Sequence, residues 1–255
     1  MPSLRFLLPL RAVAACAGLL LASGLHAQEI VVSAAASLTN AFQEMGQAFS
    51  RSRPQARVTF NFAASGALLA QIRQGAPVDV FASADQATMD RAAAENLLAP
   101  GSRADFAAND LVLVVPAAAT AFPARIADLT QPAYRRIAVG TAASVPAGRY
   151  AADAVEAAGL APALAPKWIY GESVRQVLNY VARGEVEAGF VYRTDALQDA
   201  GKVRVAATVP TRTPVRYPIA VLAASRQPAV AADFAAFVRS PAGQDILARH
   251  GFSRP

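Results

Sequence analysis

The sequence predicts an α/β fold of two lobes, each a mainly parallel sheet flanked by helices, with a hinge between them. Short apolar runs with strand character alternate along the chain with Ala-rich segments of helical period, which is the pattern of a mainly parallel α/β protein. The 255 residues exceed the usual size of one domain, and a hydrophobic content of 54% supplies the side chains for two small cores. Two strands are predicted to cross between the lobes, which implies the hinge.

Residues 1–27 have the features of a secretory signal peptide. Two arginines, Arg5 and Arg11, precede an apolar run over residues 12–25, and the small residue Ala27 follows it. A helix that spans a membrane needs about 20 unbroken apolar residues, and this run is shorter. We therefore predict cleavage after Ala27 and a periplasmic location.

A lipid anchor at Cys16 is the alternative to this cleavage. Residues 13–15 and Cys16 resemble a lipoprotein processing site, but the residues after Cys16 stay apolar and form no polar tether. We therefore favour the cleavable signal peptide over lipid anchoring. Because Cys16 is the only cysteine, the mature chain would contain none for disulfide or thiol chemistry.

The composition argues against an enzyme and against a nucleic-acid partner. His26 and His250 are the only histidines, so neither a histidine metal site nor a Ser-His-Asp triad is easily assembled. Without Arg5 and Arg11 the chain carries 22 basic and 18 acidic side chains, a net charge of +4, and its basic residues form no run of five or more. This mild positive charge favours the collection of an anion but indicates no nucleic-acid surface.

Two strand–helix units are predicted at the start of the mature chain. Residues 30–34 form the first strand, and Ser37 precedes a helix at a position where its hydroxyl could cap the first turn. Residues 57–62 form the second strand, which leads through Ser65 into a second helix. The apolar residues of the first helix share one face: Leu38, Phe42, Met45 and Phe49.

A third unit precedes the first crossover. Residues 78–82 form the third strand, and Asp85 is the predicted N-cap of a helix over residues 86–96. Residues 111–115 form an apolar strand that ends at Pro116. We interpret this strand as the first crossover because a new set of strand–helix units follows it.

The second lobe contains the clearest amphipathic helix of the sequence. Ser173 is its predicted N-cap, and its apolar positions are spaced by 3, 4 and 7 residues from Val174. Residues 136–140 are predicted to be the central strand of this lobe. The other predicted elements are a helix at 149–158, strands at 168–170, 188–192, 203–207 and 217–224, a helix at 229–239, and a last helix capped by Ser240 with Pro241 at its first position.

The run over residues 217–224 is long enough to return to the first lobe. Because this return follows the outward crossover at residues 111–115, the first lobe is expected to contain both ends of the mature chain. The predicted boundaries are residues 28–108 together with 217–255 for lobe I, and residues 109–216 for lobe II.

Four strand-to-helix junctions are candidates for an anion site because they carry small or hydroxyl residues. In open α/β sheets, ligands bind at the carboxyl ends of strands, where helix N-termini present unpaired N–H groups and a positive dipole end. A serine before a helix is more often a cap than a ligand contact, but these junctions fall in both lobes and would line a cleft from two sides. They are Ser37, Ser65, Ala147 with Gly148, and Ser173 with Val174.

Five segments resemble the signature segments of periplasmic molybdate-binding proteins, in matching order and spacing. The similarity covers about residues 29–252, and it implies the two-lobed periplasmic binding protein fold of type II. It also implies a monomeric solute-binding protein that is not an enzyme, needs no cofactor and delivers its ligand to the membrane permease of an ABC transporter. The segments are residues 34–39 (AAASLT), 75–85 (GAPVDVFASAD), 145–151 (VPAGRYA), 172–175 (ESVR) and 189–192 (GFVY).

The same resemblance implies a set of ligand residues. In that family a tetrahedral oxyanion is held by uncharged donors: two serine hydroxyls, two backbone N–H groups and a tyrosine hydroxyl. Molybdenum is then bound only as the oxyanion, and tungstate, which is nearly the same size as molybdate, is an expected second ligand. By position in the motifs, the implied ligand residues are Ser37, Ser65, Ala147, Val174 and Tyr192.

Three alternatives remain beside this interpretation. Within the same class, the ligand could be another tetrahedral oxyanion such as sulfate or thiosulfate. A hydrolase with Ser37 or Ser65 as nucleophile is a different class, and it is opposed by the lack of a neighbouring base and of a G-x-S-x-G elbow. A ligand-sensing regulator is opposed by the signal peptide and by the lack of a DNA-binding segment.

Overall fold

A computed structural model describes residues 28–255 and confirms the predicted α/β class with two sheets. The predicted signal peptide, with Cys16 and the cleavage site at Ala27, lies outside the described residues. Between residues 28 and 255, none of the helices combines the length and the apolar character that crossing a membrane requires.

The strands and helices of residues 28–255 alternate for most of the chain. The strands are β1 (Gln28–Ala35), β2 (Ala56–Ala63), β3 (Val80–Ala82), β4 (Ala104–Asn109), β5 (Leu111–Pro116), β6 (Ile137–Gly140), β7 (Trp168–Gly171), β8 (Ala188–Tyr192), β9 (Val203–Thr208) and β10 (Val215–Val221). The α-helices are α1 (Thr39–Ser52), α2 (Ser65–Arg73), α3 (Gln86–Ala94), α4 (Pro146–Ala157), α5 (Ala161–Leu164), α6 (Val174–Ala182), α7 (Arg193–Gln198), α8 (Pro228–Arg239) and α9 (Pro241–Arg249). Short 3₁₀ turns cover Ala36–Leu38, Ile126–Thr130 and Ala165–Lys167.

The two sheets share one plan. The first has the order β2-β1-β3-β10-β4 and the second the order β7-β6-β8-β5-β9. In each sheet one strand in the fourth position is antiparallel to both of its neighbours, β10 in the first and β5 in the second. Four of the five strands therefore point the same way, which agrees with the mainly parallel prediction.

The chain changes sheet twice, once between β4 and β5 and once between β9 and β10. Both antiparallel strands directly follow a change of sheet, and they correspond to the two predicted crossovers. The lobe boundaries predicted from the sequence, at residues 108/109 and 216/217, stay a prediction at the level of single residues.

Three predicted helix caps are confirmed. The side chains of Asp85, Ser173 and Ser240 each accept a hydrogen bond from the backbone N–H three residues later, at 3.2 Å in every case. These bonds satisfy N–H groups that have no partner inside the first helical turn. Pro241 occupies the first position of α9, as predicted.

Three other predictions about elements are wrong, and one strand was not predicted. Ser37 does not cap α1, because it lies within the 3₁₀ turn before that helix and its hydroxyl contacts Tyr217 instead. The centre of the second sheet is β8 and not β6. Helix α4 begins at Pro146 instead of residue 149, since proline is well suited to the first helical position. Strand β4 was not predicted, because its Ala-rich sequence has little strand character and pairing with β10 stabilises it.

The predicted apolar face of α1 is buried in the first core. Phe42 and Phe49 are fully buried, and their ring centroids lie 6.1 and 5.3 Å from that of Phe234 on α8. Both ring pairs are close to perpendicular, a favourable arrangement for aromatic side chains. This packing fixes α1 and α8 on the first sheet, and it thereby holds the end of β1 in place.

A glycine pair brings the beginning of α4 against the end of β6. A Cβ atom at Gly148 would overlap with the carbonyl oxygen of Gly140, so only glycine allows this approach. Because Gly148 directly follows Ala147, the contact also fixes where the first N–H groups of α4 point.

The substitution Gly148→Ala should lower the free energy of unfolding by about 1 to 3 kcal/mol, because the added methyl group overpacks this contact. The measurement is the midpoint of thermal or urea unfolding. Gly201→Ala is the matched control, since a Cβ atom there meets no heavy atom within 4 Å and its φ is not in the left-handed region. A Gly148→Ala protein with an unchanged midpoint would contradict the close approach.

Candidate functional site

A small cavity lies where the carboxyl ends of strands from the first sheet face the N-termini of α4 and α6. All of its lining residues are buried. Such an enclosed space suits a small solute. Its lining residues are Ala35, Ala36, Ser37, Ala64, Ser65, Ala84, Val145, Pro146, Ala147, Val174 and Tyr192.

All five residues implied as ligand residues line this one cavity. Ser37 and Ser65 come from the first sheet, after β1 and β2. Ala147, Val174 and Tyr192 come from α4, α6 and β8 beside the second sheet. The structure therefore brings together residues that are up to 155 positions apart in the sequence.

Ser65 is held by a backbone group that the sequence did not indicate. It is the first residue of α2, it is fully buried, and its Oγ accepts a hydrogen bond of 3.0 Å from the backbone N–H of Ala84. A hydroxyl has one hydrogen of its own. Since the Oγ lone pair receives the N–H of Ala84, the hydrogen of Ser65 is free to be donated to a solute in the cavity.

Tyr192 reaches across from the second sheet. Its side chain is 1% exposed, and its hydroxyl donates a hydrogen bond of 3.3 Å to the carbonyl oxygen of Ala84. Burial raises the pKa of this hydroxyl well above its ordinary value of 10.0, so it stays neutral and keeps its hydrogen. Ala84 thus contacts both hydroxyls, accepting from Tyr192 and donating to Ser65.

Ser37 lies in the 3₁₀ turn between β1 and α1. Its Oγ is 3.0 Å from the hydroxyl oxygen of Tyr217 on β10. Tyr217 is fully buried and is not among the residues that line the cavity, so it contacts Ser37 from behind the wall. This contact could not be predicted from local sequence patterns, because the two residues are 180 positions apart.

Two helix N-termini add backbone donors to the cavity. Ala147 is the second residue of α4 and Val174 the first residue of α6. N–H groups in the first turn of a helix have no partner within the helix, and the helix dipole places partial positive charge there. These two positions can therefore donate hydrogen bonds to an anion without any charged side chain.

The charged side chains near the cavity occur as ion pairs. Arg149 pairs with Asp85, and Arg175 pairs with Asp195 at 2.6 Å. The lining residues themselves carry no charge. Within residues 28–255 there is also no group of three or more His, Cys, Asp or Glu side chains placed to hold a metal ion. The cavity is suited to an oxyanion that accepts hydrogen bonds and not to a bare cation.

Direct contacts join the two halves of the fold around the cavity. The backbone N–H of Gly66 donates to the carbonyl of Ser144 at 2.9 Å, and a Cβ atom at Gly66 would lie 2.7 Å from that residue. Arg175 also donates to the Asn40 side chain at 2.9 Å. These contacts close the cavity from both sides.

Comparisons with known proteins agree with this fold. The family model described as bacterial extracellular solute-binding protein matches residues 30–253. A solved structure of the periplasmic molybdate-binding protein of Azotobacter vinelandii superposes with a TM-score of 0.80, at 23% identity, covering 89% of this chain and 99% of that one. At this identity the structural match supports the fold alone.

Two relatives are more similar in sequence. The molybdate-binding protein ModA of Mycobacterium tuberculosis strain H37Rv is 41% identical over 90% of this chain and 86% of its own length. The ModA protein of Escherichia coli strain K12 is 37% identical over 88% of this chain and 89% of its own length. The chain therefore belongs to the bacterial extracellular solute-binding protein family, as a transport component and not an enzyme, in the group that includes the ModA proteins.

Proposed function

We propose that this protein captures molybdate in the periplasm and delivers it to the membrane permease of an ABC transporter. The observation that carries the proposal is that five positions with uncharged donors, drawn from both halves of the fold, line one small cavity without a charged side chain. The names of the relatives at 41% and 37% identity support the choice of molybdate.

The proposed ligand contacts are the hydroxyls of Ser37, Ser65 and Tyr192 and the backbone N–H groups of Ala147 and Val174. Tyr192 has one hydrogen, so its hydroxyl would turn from the Ala84 carbonyl to the ligand when the anion binds. Burying a dianion is very costly unless each of its oxygens finds a hydrogen-bond partner. Donors held by the backbone or by a second hydrogen bond meet this need without long, flexible side chains. Each hydrogen bond to a charged oxyanion contributes about 1.5 to 3 kcal/mol.

We infer that size separates molybdate from sulfate in this cavity. Both anions are tetrahedral and doubly charged, so a net positive field would attract them equally. The donors stand on two helix N-termini and on strand ends that are packed into the cores, and they cannot close further around a smaller anion. Sulfate would leave some donors without a partner, whereas tungstate is close enough to molybdate in size to satisfy all of them.

We further propose that the mature protein is a monomer that begins at Gln28, after removal of residues 1–27. The permease would contact exposed surface beside the cleft.

A calorimetric titration of residues 28–255 tests the ligand. Molybdate and tungstate should bind with one site per chain and with similar affinity, and sulfate should bind at least about a hundredfold more weakly, the equivalent of losing one to two charge-assisted hydrogen bonds. Equal affinity for sulfate, or no heat with molybdate, would contradict the proposed function.

Removing single hydroxyls from the cavity should weaken molybdate binding. Ser37→Ala and Ser65→Ala each delete one donor to the anion, so each should raise the Kd by about tenfold or more. The measurement is the same titration, with a thermal midpoint to confirm that each variant is folded.

Ser33→Ala is the matched control for these serine variants. Ser33 lies on β1, is fully buried, and its Oγ has no hydrogen-bond partner within residues 28–255. Removing this hydroxyl should leave the Kd unchanged and should not lower stability, because no hydrogen bond is lost. A loss of affinity in Ser33→Ala equal to that in Ser37→Ala would show that the effect is not local to the cavity.

Molybdate affinity should stay constant between about pH 6 and pH 9, where most histidine and thiol sites titrate. Tyr192 is the one lining side chain that titrates in water, and its pKa is raised by burial. A raised tyrosine pKa favours the neutral donor, so its contribution is complete at lower pH and is lost only as the pH rises through the raised value. A tenfold change of Kd across this range, measured by titration, would indicate a different donor set.

A further inference from the structure

Arg175 directly follows the proposed ligand residue Val174, yet the proposed function gives it no role. It is the second residue of α6 and does not line the cavity. Its guanidinium group donates through Nε to Asp195 Oδ1 at 2.6 Å, through Nη1 to Asn40 Oδ1 at 2.9 Å and through Nη2 to the carbonyl oxygen of Ser37 at 3.4 Å. Because Asp195 belongs to the second half of the fold and Asn40 and Ser37 to the first, this one side chain joins the halves.

The bond to Asp195 anchors the guanidinium group in the second half. Asp195 lies on α7 and is fully buried, and in the described part of the chain Arg175 is the one basic side chain that pairs with it. The other oxygen of Asp195, Oδ2, accepts a hydrogen bond of 3.3 Å from the backbone N–H of Tyr192. A buried carboxylate requires such partners. The same group therefore holds the Nε end of Arg175 and the backbone of Tyr192.

The far end of the guanidinium group reaches the first half. Asn40 is the second residue of α1, and Ser37 lies in the 3₁₀ turn before that helix. The guanidinium group is planar and rigid, so the directions of its Nη donors are set once Nε is bound. Within residues 28–255 the Asn40 side chain makes no other hydrogen bond. The link that Asn40 makes across the boundary therefore depends on Arg175.

We propose that Arg175 is a positioning residue that keeps the proposed ligand residues of the two halves in register and thereby slows the release of the ligand. This inference rests on the proposed function. Three of the five proposed ligand residues meet at this side chain. They are Val174, its neighbour in the chain, Tyr192, which it reaches through Asp195, and Ser37, whose carbonyl it contacts.

The role concerns the rate of release and not the rate of capture. The bonds of Arg175 to Asn40 and Ser37 join the halves, and both would break before an anion leaves a cavity whose lining residues are all buried. Capture depends on long-range attraction and on access to the open cavity, whereas substitutions at a contact mainly change dissociation rates. A substitution that keeps the charge but removes the planar fork separates these two effects.

Arg175→Lys is that substitution. A lysine ammonium group is a compact point charge, and it cannot donate to Asp195 and to both acceptors of the first half in the same directions. The Kd for molybdate should rise by about tenfold or more, and the dissociation rate constant should rise by the same factor while the association rate constant stays unchanged. Calorimetry gives the Kd, and the loss of labelled molybdate into an excess of unlabelled molybdate gives the dissociation rate.

Asn40→Ala tests the link across the boundary without disturbing the pair of Arg175 with Asp195. It should speed the release of molybdate by about fivefold, the equivalent of one net hydrogen bond. In the Arg175→Lys background the same substitution should have little further effect, because the bond that it removes is already absent. Additive effects of the two substitutions would show that Asn40 acts independently of Arg175, and they would overturn the inference.

Arg183→Lys is the matched control. Arg183 directly follows the last residue of the same helix, and its ion pair with Glu185, at 3.8 Å, is exposed on both sides. Exposed pairs of this kind contribute little. This substitution should leave the Kd and both rate constants for molybdate unchanged.

A thermal midpoint identifies any variant that fails to fold. If Arg175→Lys does not fold, because buried Asp195 has lost its partner, the release rate of Asn40→Ala decides the test. Unchanged release from Asn40→Ala, or weaker binding by Arg175→Lys that lies in the association rate, would overturn the inference while the wild type still binds molybdate. A wild type that does not bind molybdate would instead overturn the proposed function.

Discussion

The proposed dianion has no charged partner in the cavity, so each of its oxygens must find a hydrogen-bond donor, and the arrangement around the cavity can be understood from this constraint. Helix N-termini supply such donors at fixed positions, because their first N–H groups are unpaired. The α/β plan places these N-termini beside the carboxyl ends of strands in both sheets. The contact of Gly148 with Gly140 serves the same end, since it sets the start of α4 against β6 and so fixes the N–H of Ala147.

The ionised side chains near the cavity connect the halves of the fold and leave the cavity itself uncharged. Asp85 and Arg149 come from opposite halves, and Arg175 links buried Asp195 to Asn40 across the boundary. Buried ion pairs add little net stability, because the desolvation of both ions offsets their attraction. They do require a defined geometry, and the pair of Asp85 with Arg149 has this geometry only where the two halves are in contact. A net positive charge at the same place would attract sulfate and molybdate alike and would not help to separate them.

The sequence predicts the fold and the identity of the lining residues better than it predicts their roles. The face of α6, the caps at Asp85 and Ser173, and the two crossovers all follow from local periodicity or cap chemistry, which neighbouring residues determine. The convergence of the implied ligand residues came from family motifs. Strand β4 and the hydrogen-bond partner of Ser37 were missed because both depend on β10, more than a hundred residues away. The contacts of Ala84 were missed because they are made by its backbone N–H and carbonyl groups, which every residue type except proline has.

The two serine hydroxyls of the cavity are held in the same way, since each contacts a partner that is not a ligand. A hydroxyl alone can donate or accept, so its neighbours decide how it is held. Ser65 accepts the backbone N–H of Ala84, and Ser37 Oγ lies 3.0 Å from the hydroxyl oxygen of Tyr217 behind the cavity wall. The partner of Ser65 is part of the backbone and cannot be removed by substitution, whereas the partner of Ser37 is a side chain on β10, the strand that directly follows the second change of sheet. Substitution at Tyr217 can therefore change how Ser37 is held without any change in the residues that line the cavity.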